Sequence, residues 1–300
     1  MAKYGSLTGN QNEKLIDLLG CVYGGDGLGA VNAILAGAKV TIEEVISMFF
    51  DRHGRRIPPR GIKAKVCDAN RAYHLLQPEV IDYAARRERM DHAFEGNIVL
   101  PDAAWFEDEV GRLMVILDDS SVVNVGMGVH LPIIVPQMVV HDHGQMLEFL
   151  LSALERAYKA EFPGRGFTNH RRGQLEGQVT VVPESRLDLL LVRAKEGPIA
   201  TIELPCATQG FSVHAQREQM ATLPEGFILN GFNAILSAIM WPEVICRDNN
   251  TPVIDLSAYQ WQSAEYSLYL LPHDEELEFD NRTALAHACD DSSGGVSFLG

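Results

Sequence analysis

The stretch at residues 174–205 constrains the fold of this chain more than any other. It contains three largely apolar segments, residues 178–182, 187–192 and 199–204, separated by turn signals. The first is β-branched and ends at Pro183, which cannot donate to a strand ladder. The second is almost entirely aliphatic, which is typical of a strand buried on both faces. The third alternates with period two. The stretch therefore predicts three consecutive strands at the centre of a sheet.

Two carboxylates interrupt these apolar segments. Asp188 stands near the start of the second segment, and Glu203 lies inside the third. A carboxylate within a buried strand needs a hydrogen-bonding partner, a countercharge or a function, because burial disfavours its charged form. We therefore take Asp188 and Glu203 as candidate catalytic residues. The alternative is an ordinary sheet in which both acids pair with arginines.

The chain from residue 145 onward follows the predicted order helix, strand, strand, strand, helix. Together with Asp188 and Glu203, this order resembles the core of the PD-(D/E)xK nuclease superfamily over about residues 145–222. The resemblance implies that the two acids hold Mg²⁺, which would activate the attacking water and stabilise the leaving oxyanion. In that superfamily a lysine assists from the second position after the glutamate. Pro205 stands there in this chain, and Lys195 lies across a turn. The resemblance thus implies a Mg²⁺-dependent nuclease or an inactive protein of that fold.

The character of the sequence changes near residue 96. Residues 1–95 have mostly helical periodicity, whereas residues 96–300 mix helix and strand signals around a core at about 143–271. The predicted fold class is α/β or α+β. An N-terminal helical region precedes a domain with a central mixed β-sheet flanked by helices. Local patterns further predict a strand at 112–117, a helix at 226–240 and a flexible tail at 290–300.

Charge and cysteine usage restrict the class of function. The net charge of −15 repels nucleic acid and anionic membranes unless a local basic patch overrides it. The five cysteines stand alone and form no C-x-x-C pair, which is typical of free thiols in a reducing compartment. The start of the sequence lacks the apolar segment of a signal peptide. We expect a soluble, acidic, cytoplasmic protein that does not associate with membranes.

A basic run at residues 52–65 is the sharpest charge contrast in the sequence. It contains no acidic residue, and its cations are Arg52, Arg55, Arg56, Arg60, Lys63 and Lys65. Arginine forks bind carboxylates and phosphates well. The run predicts docking on an acidic protein partner, on a second copy of the chain, or on nucleic acid through this patch alone. The alternative is a solvated run that neutralises the carboxylates of residues 274–280.

The sequence His141-Asp142-His143 follows a predicted strand. Two histidines two residues apart share one face of an extended chain, so His141 and His143 could hold a metal ion together. Further ligands would be His130, His170 or Glu148. In the alternative, Asp142 or His143 caps the helix that follows.

A glycine-rich segment at residues 25–30 fits the pattern G-x-G-x-x-A. This pattern predicts a dinucleotide-binding turn, with Glu43 or Glu44 on a ribose hydroxyl. The alternative is a glycine turn between two short helices. Whether the chain is an enzyme stays open. The favoured hypothesis is a non-catalytic binding or assembly protein that uses the basic run.

Overall fold

The computed structural model describes residues 75–118, 128–287 and 292–300, together with Asn32 in a helix. The chain divides into two compact units, Met1–Lys63 and Ala64–Gly300, and the second unit is described below. It combines helices with mixed sheets, which confirms the predicted fold class. The helical character of residues 1–74 and a domain boundary near residue 95 stay predictions.

The described residues form seven α-helices. They are α1 (Tyr83–Ala93), α2 (Ala103–Asp118), α3 (His143–Glu161), α4 (Leu187–Glu196), α5 (Val213–Gln219), α6 (Phe232–Met240) and α7 (Pro242–Ile245). Short 3₁₀ turns at Pro183–Ser185 and Met220–Thr222 precede α4 and follow α5.

Eleven strands in the described residues form three sheets. They are β1 (Leu131–Val135), β2 (Gly166–Asn169), β3 (Val179–Val181), β4 (Ile199–Leu204), β5 (Phe227–Leu229), β6 (Val253–Leu256), β7 (Tyr259–Trp261), β8 (Ser267–Pro272), β9 (Glu276–Arg282), β10 (Ser292–Ser293) and β11 (Val296–Phe298). An antiparallel sheet has the order β1-β4-β11-β5. A mixed sheet has the order β10-β6-β8-β9-β2, and β3 pairs with β7 alone.

Helix α6 forms the centre of the hydrophobic core. Its sequence is apolar on nearly every side, and each of its residues is buried, as expected for a helix with no polar face. It packs against α1, α3 and β1. The Trp241 indole that follows it donates to the Pro132 carbonyl at 2.8 Å, which ties the helix end to β1.

The predicted strand at residues 187–192 is wrong, because this segment is helix α4. Leu187, Leu190 and Ala194 are buried while Leu189 and Val192 are exposed, and that spacing belongs to a helix. A short aliphatic run does not distinguish a buried strand from a helix by periodicity alone. The strands predicted on either side are confirmed as β3 and β4, but they lie in different sheets.

Arg186 positions the start of α4. Its backbone is left-handed, with φ of 61°, and its guanidinium donates to the carbonyls of Met220 and Leu223, each at 2.8 Å. This anchor turns the chain out of the preceding 3₁₀ turn and into the helix.

Three further local predictions are corrected. Residues 112–117 belong to α2, whose first turn is capped by Asp102 accepting from the Trp105 N–H at 2.8 Å. Residues 226–240 divide into β5 and α6. The tail at 290–300, predicted to be flexible, contains β11, which is buried between β4 and β5. Its pairing partners are distant in sequence, so no local pattern reveals them.

Candidate functional site

Glu203 occupies the interior of β4 and is 1% exposed. In the strand register it lies between Leu131 of β1 and Ser297 of β11. Its side chain contacts Asn233, which places the carboxylate on the face of the sheet that α6 covers. Glu203 is therefore an acid enclosed between the sheet and α6.

Neutral side chains hold one oxygen of this carboxylate. The Ser297 hydroxyl donates to Glu203 Oε2 at 2.6 Å. The Asn233 amide donates to the Ser297 hydroxyl oxygen at 2.9 Å and, at 3.4 Å, to Glu203 Oε2 as well. The contact between Ser297 and Glu203 thus joins β11 to β4 through side chains as well as backbone.

Asn230 holds the other oxygen. Two neighbours fix the orientation of this amide, because the Gly295 N–H needs an acceptor and the carboxylate oxygen Glu203 Oε1 needs a donor. The Asn230 side-chain oxygen accepts from Gly295 N–H at 2.9 Å, and its nitrogen donates to Gly295 O at 3.0 Å and to Glu203 Oε1 at 2.7 Å. Both carboxylate oxygens of Glu203 therefore accept from neutral donors.

Position 295 requires a glycine, because its backbone lies close to Glu203, Asn230 and Pro205. A Cβ at this position would lie 2.9 Å from the Cα of Pro205, and closer still to the Glu203 carboxylate and the Asn230 amide. The absence of a side chain lets the backbone of this turn reach the carboxylate. We call Glu203, Asn230, Asn233, Gly295 and Ser297 the Glu203 network.

Burial raises the pKa of Glu203 to about 7, and the hydrogen bonds from Ser297, Asn233 and Asn230 oppose that rise. No charged side chain among the described residues acts on the pKa of this group. The site is thus a buried acid with a pKa near neutrality, because burial removes the carboxylate from water and the described residues offer no countercharge.

A second group of buried polar residues adjoins the Glu203 network through Gly294. A Cβ at Gly294 would overlap the Gln216 amide. Gln216 donates to Asp255 Oδ2 at 3.0 Å and accepts from the Ser257 hydroxyl. Arg282 Nε lies 3.2 Å from Asp255 Oδ1, so this second carboxylate has a cation beside it where Glu203 has none.

Arg217 supports the same region from α5. It donates to the carbonyls of Ser257 at 2.9 Å and Tyr259 at 2.8 Å. Burial lowers the pKa of Arg217 to about 10, which still leaves the guanidinium charged at neutral pH. Its contacts join α5 to the chain between β6 and β7.

Asp188 lies apart from this network. It is exposed in the first turn of α4, and the groups whose pKa it affects are His143 and Tyr259. Glu203 accepts hydrogen bonds from amides and a hydroxyl, so the alternative in which this acid pairs with an arginine is wrong. Pro205, at the lysine position of the nuclease pattern, lies against Gly295, and Lys195 lies in the last turn of α4. The structure surrounds the exposed Asp188 and the enclosed Glu203 with different partners, and their joint Mg²⁺ site stays a prediction.

The segment His141-Asp142-His143 caps the helix that follows it, as in the alternative interpretation. Asp142 is the N-cap of α3 and accepts from Gln145 N–H at 2.7 Å and from Gly177 N–H at 2.9 Å. These backbone hydrogen bonds lower the pKa of Asp142. His141 is exposed, while burial lowers the pKa of the half-buried His143, whose ring centroid lies 5.7 Å from that of Tyr259.

Further metal ligands do not join this pair. His170 Nε2 lies 2.9 Å from Glu278 Oε2, and Glu148 accepts from the Gly173 N–H at 2.6 Å. Within the described part of the chain, no three histidine, cysteine, aspartate or glutamate side chains gather as a metal site requires. The pairs His141 with His143 and Asp188 with Glu203 stay predictions as metal ligands.

Two predicted binding segments lie outside the described residues: the glycine-rich segment at 25–30 and the basic run, whose cations are Arg52, Arg55, Arg56, Arg60, Lys63 and Lys65. Both stay predictions. Two of the carboxylates in residues 274–280, suggested as countercharges for the basic run, have partners within the described residues. Arg171 lies 2.5 Å from Asp280, and Thr168 donates to Glu276 at 2.8 Å.

Comparison of the chain with protein-family models, with curated proteins and with solved structures finds no match. Of the helices in residues 75–118 and 128–287, none combines the length and apolar character needed to cross a bilayer.

Proposed function

We propose that this chain is a non-catalytic binding or assembly protein whose basic run docks on an acidic protein surface. The observation that carries the proposal is the charge contrast. Residues 52–65 hold four arginines and two lysines without an acid, in a chain of net charge −15. Arginine forks bind carboxylates through paired, charge-assisted hydrogen bonds. The cationic segment attracts an acidic partner, while the anionic remainder of the chain repels it. Attraction is therefore confined to one place on the chain.

A second copy of the chain can supply such a surface. The turn between β8 and β9 exposes Asp274 and Glu275, and the outward residues of β9 continue the acidic character. Contact between this turn on one copy and the basic run on another would be head-to-tail, which builds rings or filaments. Self-association is therefore the form of assembly that the charges of this chain favour.

The surroundings of Glu203 support a non-catalytic role. Its oxygens accept from Ser297 and Asn230, and its side chain is almost wholly inaccessible. The carboxyl group of Glu203 connects β4 to β11 through Ser297 in place of facing a substrate. The acid on which a nuclease of this pattern would depend thus has a structural role.

The test replaces Arg55, Arg56 and Arg60 by glutamine in the full chain. We expect sedimentation velocity to show weaker self-association, and fluorescence anisotropy to show about tenfold weaker binding of labelled poly-L-glutamate. The salt dependence of both should flatten, because fewer screened charge contacts remain.

A matched control replaces Arg112, Lys159 and Arg172 by glutamine. It removes the same charge from side chains that are 53%, 50% and 61% exposed and that form only surface ion pairs. Equal behaviour of the two triple variants would overturn the proposal. Preferential binding of a duplex DNA probe through Arg55, Arg56 and Arg60 would redirect it from an acidic protein to nucleic acid.

A further inference from the structure

Strand β11 occupies an inner position in its sheet although it has only the residues Val296–Phe298. It pairs with β4 on one side and β5 on the other. Ser297 is its only polar side chain, and this hydroxyl contacts Glu203. Val296 and Phe298 attach the strand through the apolar core, and the polar attachment of its side chains passes through Ser297 to Glu203 and Asn233.

The groups that face Glu203 are neutral on every packed element. They are Leu131 on β1, Ser297 on β11, Asn233 on α6, and Asn230 with Gly295 in the adjoining turns. Helix α6 contains no titratable residue. Helix α2, which also packs against β4, carries Glu107, Asp108, Glu109, Arg112 and Asp118, and none of them acts on the pKa of Glu203. A charge on Glu203 thus meets no countercharge among the residues that the structure describes.

We infer that Glu203 is a proton-operated clamp on β11. With the proton in place, the neutral carboxyl keeps β11 seated between β4 and β5. Loss of the proton puts an uncompensated charge into the layer under α6 and loosens β11 together with the Gly294-Gly295 turn.

The network offers an acceptor for the proton of the protonated form. A hydroxyl group both donates and accepts, and its oxygen has two lone pairs. The Ser297 oxygen can therefore accept the carboxyl proton from Glu203 Oε2 while it still accepts from Asn233. Asn230 continues to donate to Oε1, because Gly295 fixes its orientation. Protonation turns the Ser297 hydroxyl hydrogen away from Glu203 Oε2, so the hydrogen bond between these two oxygens reverses its direction.

The working range of the clamp follows from burial. The pKa of Glu203 rises from 4.5 to about 7 in the folded chain. A raised carboxyl pKa means that the folded state binds the proton more tightly than the unfolded state. The resulting stability is fully present below pH 4.5 and is lost as pH rises through about 7. Over that range the unfolding equilibrium constant changes by up to roughly 300-fold.

The experiment compares the full chain with Glu203→Gln, which keeps the shape of the side chain and cannot ionise. Urea unfolding and hydrogen exchange of residues 294–300 are measured from about pH 4.5 to about pH 8, with exchange corrected for its intrinsic rate. We expect the wild-type unfolding constant to rise with pH relative to the variant, and residues 294–300 to lose protection in the wild type only. Glu275→Gln, an exposed carboxylate of equal charge, should keep the wild-type pH profile.

Parallel pH profiles for wild type and Glu203→Gln would overturn the inference. If Glu203→Gln does not fold, Ser297→Ala replaces it. The Ser297 hydrogen bond opposes the rise in the pKa of Glu203, so its removal should move the midpoint of the pH profile upward. A midpoint that does not move would equally overturn the clamp.

Discussion

Two carboxylates of this molecule receive similar hydrogen bonds, yet their pKa values shift in opposite directions. Glu203 accepts from Ser297 and Asn230 at 2.6 and 2.7 Å, and Asp142 accepts from Gln145 and Gly177 at 2.7 and 2.9 Å. The pKa of Glu203 is raised by burial, whereas that of Asp142 is lowered by its backbone donors. Hydrogen-bond length does not decide the difference, and access to water does.

The comparison shows what each acid contributes. At Asp142 the donors belong to the first turn of α3 and to Gly177, and water still reaches the carboxylate, so the charged form is favoured. At Glu203 the same kind of donor offsets only part of the cost of removing the group from water. The first acid stabilises a helix end through its charge, and the second joins two strands through its hydrogen bonds.

The largest expected effect comes from Gly295→Ala. The new Cβ would overlap the Glu203 carboxylate and the Asn230 amide, and it would press on the Pro205 backbone. We expect a loss of more than about 3 kcal/mol in the free energy of unfolding, measured with urea. Gly111→Ala is the control, because a Cβ there meets nothing within 4 Å and Gly111 lies inside α2. A control variant should be unchanged or more stable by up to about 1 kcal/mol. Equal stability of the two variants would show that the Glu203 network is loosely packed.

A smaller effect is expected for Asn233→Ala. This change removes the donor to Ser297 at 2.9 Å and the acceptor for Gly231 N–H at 2.7 Å. Because the remaining groups stay buried and lose a partner, the free energy of unfolding should fall by about 2 kcal/mol. Ser152→Ala, which removes a bond to the Glu148 carbonyl on a helix surface, should change it by less than about 0.5 kcal/mol. A loss for Asn233→Ala no greater than that control would sink the view that this amide supports Ser297.

The smallest effect is expected for Asp142→Ala. Its pH dependence is opposite to that of Glu203, because the contribution of Asp142 is lost as pH falls. Loss of the N-cap should cost about 1 kcal/mol at neutral pH. Since the pKa of Asp142 is lowered in the folded chain, its contribution is present above pH 3.8 and is lost as pH falls through the folded value. Thermal unfolding of wild type and variant at a series of acidic pH values measures this loss of stability. Asp142→Asn keeps an acceptor for the Gln145 N–H but sets an NH₂ group against the Gly177 N–H, so it should remove the pH dependence together with that second hydrogen bond. A difference between wild type and Asp142→Ala that grows on acidification would contradict the assignment.

Local features of the structure were predictable from sequence. The amphipathic pattern of α3, its Asp142 cap, and the alternation of β4 depend on residues within one turn or one strand. The position of Glu203 inside a buried strand was also predicted, because an acid in an apolar alternating segment is visible without any tertiary information.

The partners of Glu203 were not predictable in the same way. Ser297 lies 94 positions further along the chain, and β11 resembles a flexible tail when read alone. Asn230 and Asn233 flank a glycine at the start of α6, but nothing local connects them to β4. The aliphatic run of α4 is compatible with helix and strand, and the left-handed backbone at Arg186 selects the helix. Non-local pairing and single backbone conformations therefore set the limits of the sequence-based predictions.

The inner position of β11 has a consequence for how the protein is made. A ribosome moving along the message delivers β4 and β5 well before residues 296–298 emerge, so the edges of both strands wait without the neighbour that separates them. During that interval they resemble the unprotected edges on which foreign strands assemble. A nascent chain that stalls before residue 296 would be a natural client for chaperones, and rare codons placed just upstream would lengthen its exposure.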